Sequence, residues 1–445
     1  MSQYKAYPAY KDSGVEWIGQ VPEHWEVKPI CRVTSVNDDA LSDSTTGSTR
    51  ISYVDISSVG YAEGIKQATE MAFEDAPSRA RRKASTGDVV VSTVRTYLKA
   101  VAAVTDEYAD CIFSTGFAVL RARQLEQSFL KWMILNELLI QSIEAHSEGL
   151  SYPAINASAL VKLKSVIPPP EEQATIAAAL DRETARIDAL VEKKTRFIEL
   201  LKEKRQALIT HAVTKGLDPN AKMKDSGVEW IGQVPEHWQV KRLKHLISQC
   251  QNGVWGDDPL EDGSDTLCIR VADFDRDNNV VIYNPSTYRQ ITKEHQDSRL
   301  VSKGDILLEK SGGGAQTLVG ANVRYLGEEP AVCSNFVAVI KPSKMAESAW
   351  LNYLMASMYA LKINLRSIKQ STGIQNLDSE QYLDEGVAAP SLDEQATIAA
   401  ALDRETARID ALIGKAEQSI TLLKERRAAF ITAAVTGQID LRGKQ

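Results

Sequence analysis

Cysteine is scarce in this 445-residue chain. The five present (Cys31, Cys111, Cys250, Cys268 and Cys333) are scattered and form no C-x-x-C pair. That argues against a disulfide framework and a zinc ribbon, and fits a reducing compartment. No apolar run approaches the roughly 20 residues of a membrane helix. The opening MSQYKAYPAYKD lacks the charged-then-apolar layout of a signal peptide, so a cytoplasmic location is expected. Positive charge is not in surplus: 52 Lys and Arg stand against 59 Asp and Glu, a net charge of −7. Composition therefore offers none of the basic footprint of a nucleic-acid binder. With 43% apolar and 25% charged residues the chain is an ordinary globular protein, long enough for two to four domains.

Catalytic motifs are missing as well. No nucleotide-binding loop is present, since Gly414-Lys415 is followed by Ala416 within a helical pattern. There is no H-E-x-x-H, and the six histidines show no metal-ligand spacing. Asn284-Pro285-Ser286-Thr287-Tyr288 half matches an amino-methyltransferase loop but lacks its second proline and a glycine-rich cofactor loop nearby. Glu192-Lys193-Lys194 has the tail of a nuclease site without an acidic partner strand. Ser311-Gly312-Gly313-Gly314 could cradle a phosphate, but no Lys-Ser/Thr pair or helix follows it. No catalytic residue, no metal site and no cofactor is expected in this chain.

What the sequence does contain is a duplication. KDSGVEWIGQVPEHW runs from Lys11 to Trp25 and recurs from Lys224 to Trp238. EQATIAAALDRETARIDAL runs from Glu172 to Leu190 and recurs from Glu394 to Leu412. The period exceeds 200 residues, so the chain holds two large lobes and not a solenoid. Between the shared strings only faint parallels survive, such as TGDVVVSTVR with KGDILLEKSG and CIFSTGFAVL with AVCSNFVAVI. One frame carrying two different inserts implies one scaffold with two recognition surfaces. Drift alone should not spare whole strings while erasing what lies between them.

Each second string opens a long helical pattern. Proline leads into the first, and Ser391 with Glu394 forms an S-x-x-E capping box at the second. Apolar residues follow at Ile176, Leu180, Ile187, Leu190, Phe197, Leu201 and Leu208, and at Ile398, Leu402, Ile409, Leu412, Leu423 and Phe430. Gly216 and Gly437 mark the stops. A helix of roughly 60 Å needs a partner. Its own duplicate, packed antiparallel about a pseudo-twofold axis, is the obvious one; an amphipathic helix lying on its own lobe is the alternative. The lobes mix short β-branched runs with Gly and Asp turns and end in apolar helical stretches, giving an α+β fold with mainly antiparallel sheets. The expected domains are 1–170, the helical spacer 171–222, 223–392 and the helical spacer 393–445.

The PEHW strings and the proline-led EEQATIAAALDRETARIDALVEKK, both repeated, resemble the specificity subunit of type I restriction–modification enzymes. The likeness spans the chain in its order of variable lobe, long helix, variable lobe, long helix. It implies two target-recognition domains, each reading half of a bipartite double-stranded DNA site through the major groove. It also implies that the helices set the spacing and dock two modification subunits, which bind S-adenosylmethionine and methylate adenine. A restriction subunit with ATP- and Mg-dependent translocase and nuclease activity would join them. The chain itself would be non-catalytic. A coiled-coil scaffold with degenerate lobes is the competing reading.

Base readout needs amides, guanidinium groups and hydroxyls on loops or strands. In the first lobe Ser92, Thr93, Arg95, Tyr97 and Lys99 follow an apolar strand, and the loop they form is the one the resemblance turns toward DNA. Arg79, Arg81, Arg82 and Lys83 could clamp phosphates, and Ser151 and Tyr152 precede the return to the scaffold. In the second lobe the candidates are Lys310, Ser311, Gly312, Gly313, Gly314 and Gln316, then Lys369, Gln370, Ser371, Thr372, Gln375 and Asn376. The bland alternative for each is a solvated turn. Trp17, Trp25, Trp230 and Trp238, with His24 and His237, lie in the shared strings and read as core anchors.

Overall fold

The shared strings form the frame. Pro170 begins a helix that runs Pro170–Lys215, where its missing N–H costs nothing. Ser391 Oγ accepts the Glu394 N–H at 3.4 Å, and the second long helix runs Leu392–Val435. The first helix has 46 residues, about 70 Å at 1.5 Å per residue. Both stop as expected at glycines in the left-handed region, Gly216 at φ 76° and Gly437 at φ 75°. A side chain at Gly437 would strike Pro22 Cδ at 2.3 Å, so glycine also lets the helix end close against the first shared string.

The computed structural model describes residues 4–61, 63–313, 317–371 and 373–442. It divides into two units: residues up to Thr195 with those from Glu417 onward, and Arg196–Ala416. Each unit therefore takes part of each long helix.

In the first unit, Val101–Ala103, Val89–Ser92, Phe117–Ala122 and Thr34–Val36 form an antiparallel sheet in that order. A second sheet orders Thr69–Ala72, Arg50–Val54, Ile112–Ser114 and Ala80–Lys83, and its Arg50–Val54 and Ile112–Ser114 pair is parallel. The apolar stretch after them is two helices, Gln127–Ile134 and Glu137–Ala145, and not one. Asn136 divides them by accepting the Leu138 N–H at 3.2 Å as an N-cap. Leu130, Trp132 and Leu139 pack with Ile176, Leu180 and Ile431 of the long helices in one core. The segment near Lys5 pairs with Asp440, and Tyr10 donates to the Gly437 carbonyl at 3.0 Å.

In the second unit the frame is rebuilt. Ile247–Asn252, Val337–Pro342, Ile306–Glu309 and Asn322–Arg324 lie side by side and antiparallel, extended by Val280–Val281 and Phe274–Asp275. Thr266–Ile269 again runs parallel to its neighbour, Ala331–Cys333. A separate three-stranded sheet joins Ser311–Gly312, Ile374–Leu377 and Ile368–Ser371. The helix Ser348–Ala360 buries Trp350, Leu354 and Met358 against Ile398 and Leu402.

Within each unit the long-helix segments run antiparallel. Asp188 meets Arg427 at 3.0 Å in the first, and Asp410 meets Arg205 at 3.2 Å in the second. Both expected packings hold at once. Ile176, Leu180, Ile398 and Leu402 lie on lobe cores, and Ile187, Leu201, Ile409 and Phe430 are also buried. Leu208 and Leu423 are half-buried. Leu190, Phe197 and Leu412 depart from the expected seam and are exposed, at 40%, 45% and 45%. Three steps from Ile187 or Ile409 fall short of a full turn, so the inner line continues four residues on, at half-buried Val191 and Ile413.

Candidate nucleic-acid interface

The repeated Glu-Gln pair at the start of each long helix fixes the lobes. Trp25 is fully buried and donates its indole N–H to Glu172 Oε2 at 3.0 Å, while His24 Nε2 lies 2.6 Å from Oε1. In the second unit Trp238 and His237 hold Glu394 at 3.0 and 2.8 Å. Glu394 is thereby drawn from the reciprocal bond of a capping box. Gln173 accepts the Glu126 N–H at 2.8 Å and donates to the Pro168 carbonyl at 2.7 Å. Gln395 does the same with Glu347 and Pro390, at 2.8 and 3.0 Å. Asp181 accepts from Trp132 at 3.1 Å, and Asp403, its counterpart, from Tyr353 at 2.7 Å. Trp25 and Trp238 are the buried anchors expected, whereas Trp17 and Trp230 are half-buried and His24 and His237 hold the carboxylates from the exposed side; identity in both copies follows from identical tasks.

On this frame each unit opens a cleft at the same topological place, where the chain leaves the parallel strand pair. In the first unit Tyr53, Asp55, Arg79, Arg95 and Leu98 line about 300 Å³. Arg95 takes a left-handed backbone at φ 51°, and its guanidinium sits 5.1 Å from the ring centre of Tyr152. Val94 bridges to Ala154, and Ile155 donates to the Thr93 carbonyl at 2.9 Å, so two segments more than 50 residues apart meet. Arg95, Tyr97, Ser151 and Tyr152 are exposed; Lys99 is half-buried, 3.9 Å from Glu137.

In the second unit Trp255, Arg270, Glu309, Ser311, Ser334, Asn335 and Phe336 line about 530 Å³. Arg270 follows the parallel strand as Asp55 does in the first unit, so the charge at this position is reversed. Ser311 Oγ donates to Asn376 Oδ1 at 2.7 Å, joining the two expected segments in one sheet. Glu309 is buried and receives Arg276 Nη2 at 2.8 Å; burial pushes its carboxyl up, and Arg276 only partly offsets this. Lys310 reaches Asn252 at 2.6 Å, Lys369 reaches Asp378 at 2.7 Å, and Gln370 is exposed.

Five of the expected contact residues do not fit their roles. Ser92 and Thr93 are buried and bond the carbonyls of Val94 and Gly116 at 2.5 and 2.9 Å. Gln375 is 7% exposed, and its Oε1 accepts the Val319 N–H at 3.2 Å. Arg81 and Arg82 lie half-buried on an edge strand, with Arg81 4.6 Å over the Phe73 ring. Gly314, Gln316 and Thr372 fall outside the described residues, as does the Ser371 side chain. Asp55, Trp255, Arg270, Asn335 and Phe336 escaped sequence reasoning. The signal for Phe336 was an aromatic where the matching string of the other lobe has Gly116. Among the described residues no cluster of His, Cys, Asp or Glu is placed to hold a metal ion, and no helix is long and apolar enough to cross a membrane.

Comparison with known proteins gives the same architecture. Residues 235–422 match the type I restriction modification DNA specificity domain. The EcoKI specificity subunit of Escherichia coli K12 is 20% identical over 431 residues, covering 95% of this chain and 90% of that one. The StySPI specificity subunit of Salmonella potsdam is 29% identical over 147 residues, 32% of this chain and 31% of its own. Among solved structures, a chain from a study of complex assembly and conformational transition of the type I R-M system aligns with a TM-score of 0.71. It is 23% identical and covers 96% of this chain and 99% of its own. The HsdS subunit of Thermoanaerobacter tengcongensis aligns at 0.51 and 22% identity, over 94% and 98%. The duplicated frame and paired clefts thus accompany a type I restriction modification DNA specificity domain over residues 235–422 and, along most of the chain, similarity to type I specificity subunits.

Proposed function

We propose that this chain is the non-catalytic DNA-reading subunit of a type I restriction–modification complex, with each unit reading one half of a bipartite site in the major groove. The observation that carries this is the pair of clefts. They occupy the same place on matching frames yet are lined by different chemistry: Tyr53, Asp55 and Arg95 in one, Trp255, Arg270 and Asn335 in the other. Two readers on one frame suit a target with two unrelated halves.

Partners follow from the same reading. Two methyltransferase subunits dock on the long helices and bring S-adenosylmethionine; restriction subunits bring ATP and Mg chemistry, all in the cytoplasm. Leu190 and Leu412, exposed at matching positions of the helices, are candidates for that docking surface. The chain's net charge of −7 leaves the partners to supply much of the phosphate contact. The domain limits we propose are residues 1–170 and 223–392 for the readers and 171–222 and 393–445 for the helical spacers.

Exchange of residues 26–171 for the matching segment of another family member tests this directly. Mapping methylated adenines should show one half of the target altered and the other unchanged. A change in both halves would show that the units do not read separately.

A further inference from the structure

Resting on that reading of the second unit, we propose that its cleft between Trp255 and Phe336 receives a single nucleobase swung out of the DNA stack. Reading base edges in the groove needs no hollow, yet this unit has one beside its exposed amides. Its volume, about 530 Å³, lies within the range of about 300–1,000 Å³ typical of small-molecule sites. Trp255 and Phe336, 38% and 47% exposed, are large aromatic side chains left partly in water beside it. Unstacked bases are held in this way, on aromatic faces.

The Trp255 ring is held in place beforehand. Arg289 lies 4.6 Å from its centre and bonds the carbonyls of Trp255 and Gly256, both at 3.3 Å, with Asp258 at 2.8 Å as counter-ion. The cleft also holds a polar group with nothing to bond. Ser334 is 3% exposed, and its hydroxyl has no partner among the described residues. A buried hydroxyl without a partner costs free energy, and the residue that carries this one lines the cleft. Asn335 and Arg270 line the same space. Gly312 and Gly313, at φ 126° and 64°, also line the cleft and bring no side chain of their own to it.

The first unit is built differently. Gly116 stands where Phe336 stands in the second, and a Cβ there would already lie 2.6 Å from Ile56 Cδ1. With glycine in place of the aromatic the first unit has no such wall, so base capture is confined to the second unit.

The test uses the full chain and duplexes bearing its methylome-defined site. At each position of the half read by the second unit, one base is replaced by an abasic residue while its partner is kept. Removing the partner of the captured base abolishes its pairing and makes extrusion easier. Binding should therefore tighten roughly tenfold at one position, and weaken when the captured base itself is removed. Trp255→Ala and Phe336→Leu should weaken cognate binding roughly 10- to 100-fold and erase the abasic gain, with unfolding midpoints unchanged. Trp255→Phe, which keeps a stacking face, should restore most of both. If no substitution tightens binding while the half-site is still discriminated, the base stays stacked and this inference fails, though the reading of the unit stands. Equal losses on cognate and random DNA for the two variants would also overturn it. A chain that does not discriminate the site at all would sink both.

Discussion

The two units differ least where they meet the long helices and most where they face away from the frame. Trp25 and Trp238 are both fully buried and both donate to a helix carboxylate at 3.0 Å, a match carried down to single bonds. Thirty residues downstream of the first anchor, Asp55 lines one cleft; Arg270 lines the other from the same place. A frame stays constant when its polar atoms have obligatory partners. A reading surface can vary because its polar atoms answer to a ligand and not to the fold.

The largest effect expected is loss of an anchor. Trp25→Ala and Trp238→Ala should each cost about 3–5 kcal/mol in denaturant unfolding, through the cavity and the carboxylate left short of a donor. Nearly equal losses are expected, and a large inequality would break the equivalence of the two frames. The seam is less even. Leu201 is 7% exposed and its counterpart Leu423 half-buried, so Leu201→Asp should destabilise by about 3 kcal/mol or more and Leu423→Asp by clearly less. Comparable thermal shifts for the two would show that the helices pack more symmetrically than this.

Neighbouring amides sharpen the contrast between frame and surface. Asn376 is exposed beside the cleft, and Asn376→Ala should cost about 1–3 kcal/mol on the cognate site while relaxing discrimination at one base. Gln375 is buried, so Gln375→Ala should weaken cognate and random DNA alike and lower the melting temperature. Binding isotherms on both DNAs separate the two outcomes. The smallest effect belongs to the helix ion pairs. Asp188 and Asp410 are partly exposed, which leaves each pair at about 1 kcal/mol or less. Arg427→Ala should exceed Arg205→Ala slightly, because Arg427 also lies 6.0 Å from the centre of the Trp132 ring. Double-mutant cycles with Asp188→Ala and Asp410→Ala measure the difference.

The frame was legible in the sequence because duplication marks it: identical strings announced identical roles, and the glycine stops, the proline start and the antiparallel helices all follow. Side-chain exposure in the lobes was not legible. Ser92 and Thr93 are polar and sit at the end of a strand, which reads as a surface, yet each bonds a nearby carbonyl and turns inward. Phe336 lies within an apolar string that reads as core, yet it stands in water at a turn between two strands. A polar residue with a local partner and an apolar residue kept for a ligand are both invisible to hydropathy. At Leu190 and Leu412 the spacing itself misleads, because a three-residue step and a four-residue step land on different sides of the buried line.

One feature of the frame bears on how such a chain changes over generations. The glycine that ends each long helix packs on the string that opens a unit: Gly437 on Pro22 and Trp25, Gly216 on Trp238. Selection on these contacts acts on both copies at once and holds them alike, while the segments between them are under no such obligation. The chain keeps identical stretches of 15 and 19 residues on either side of unrelated ones. Recombination can then exchange one insert whole, and a lineage acquires a new specificity in a single event without passing through an unfolded intermediate.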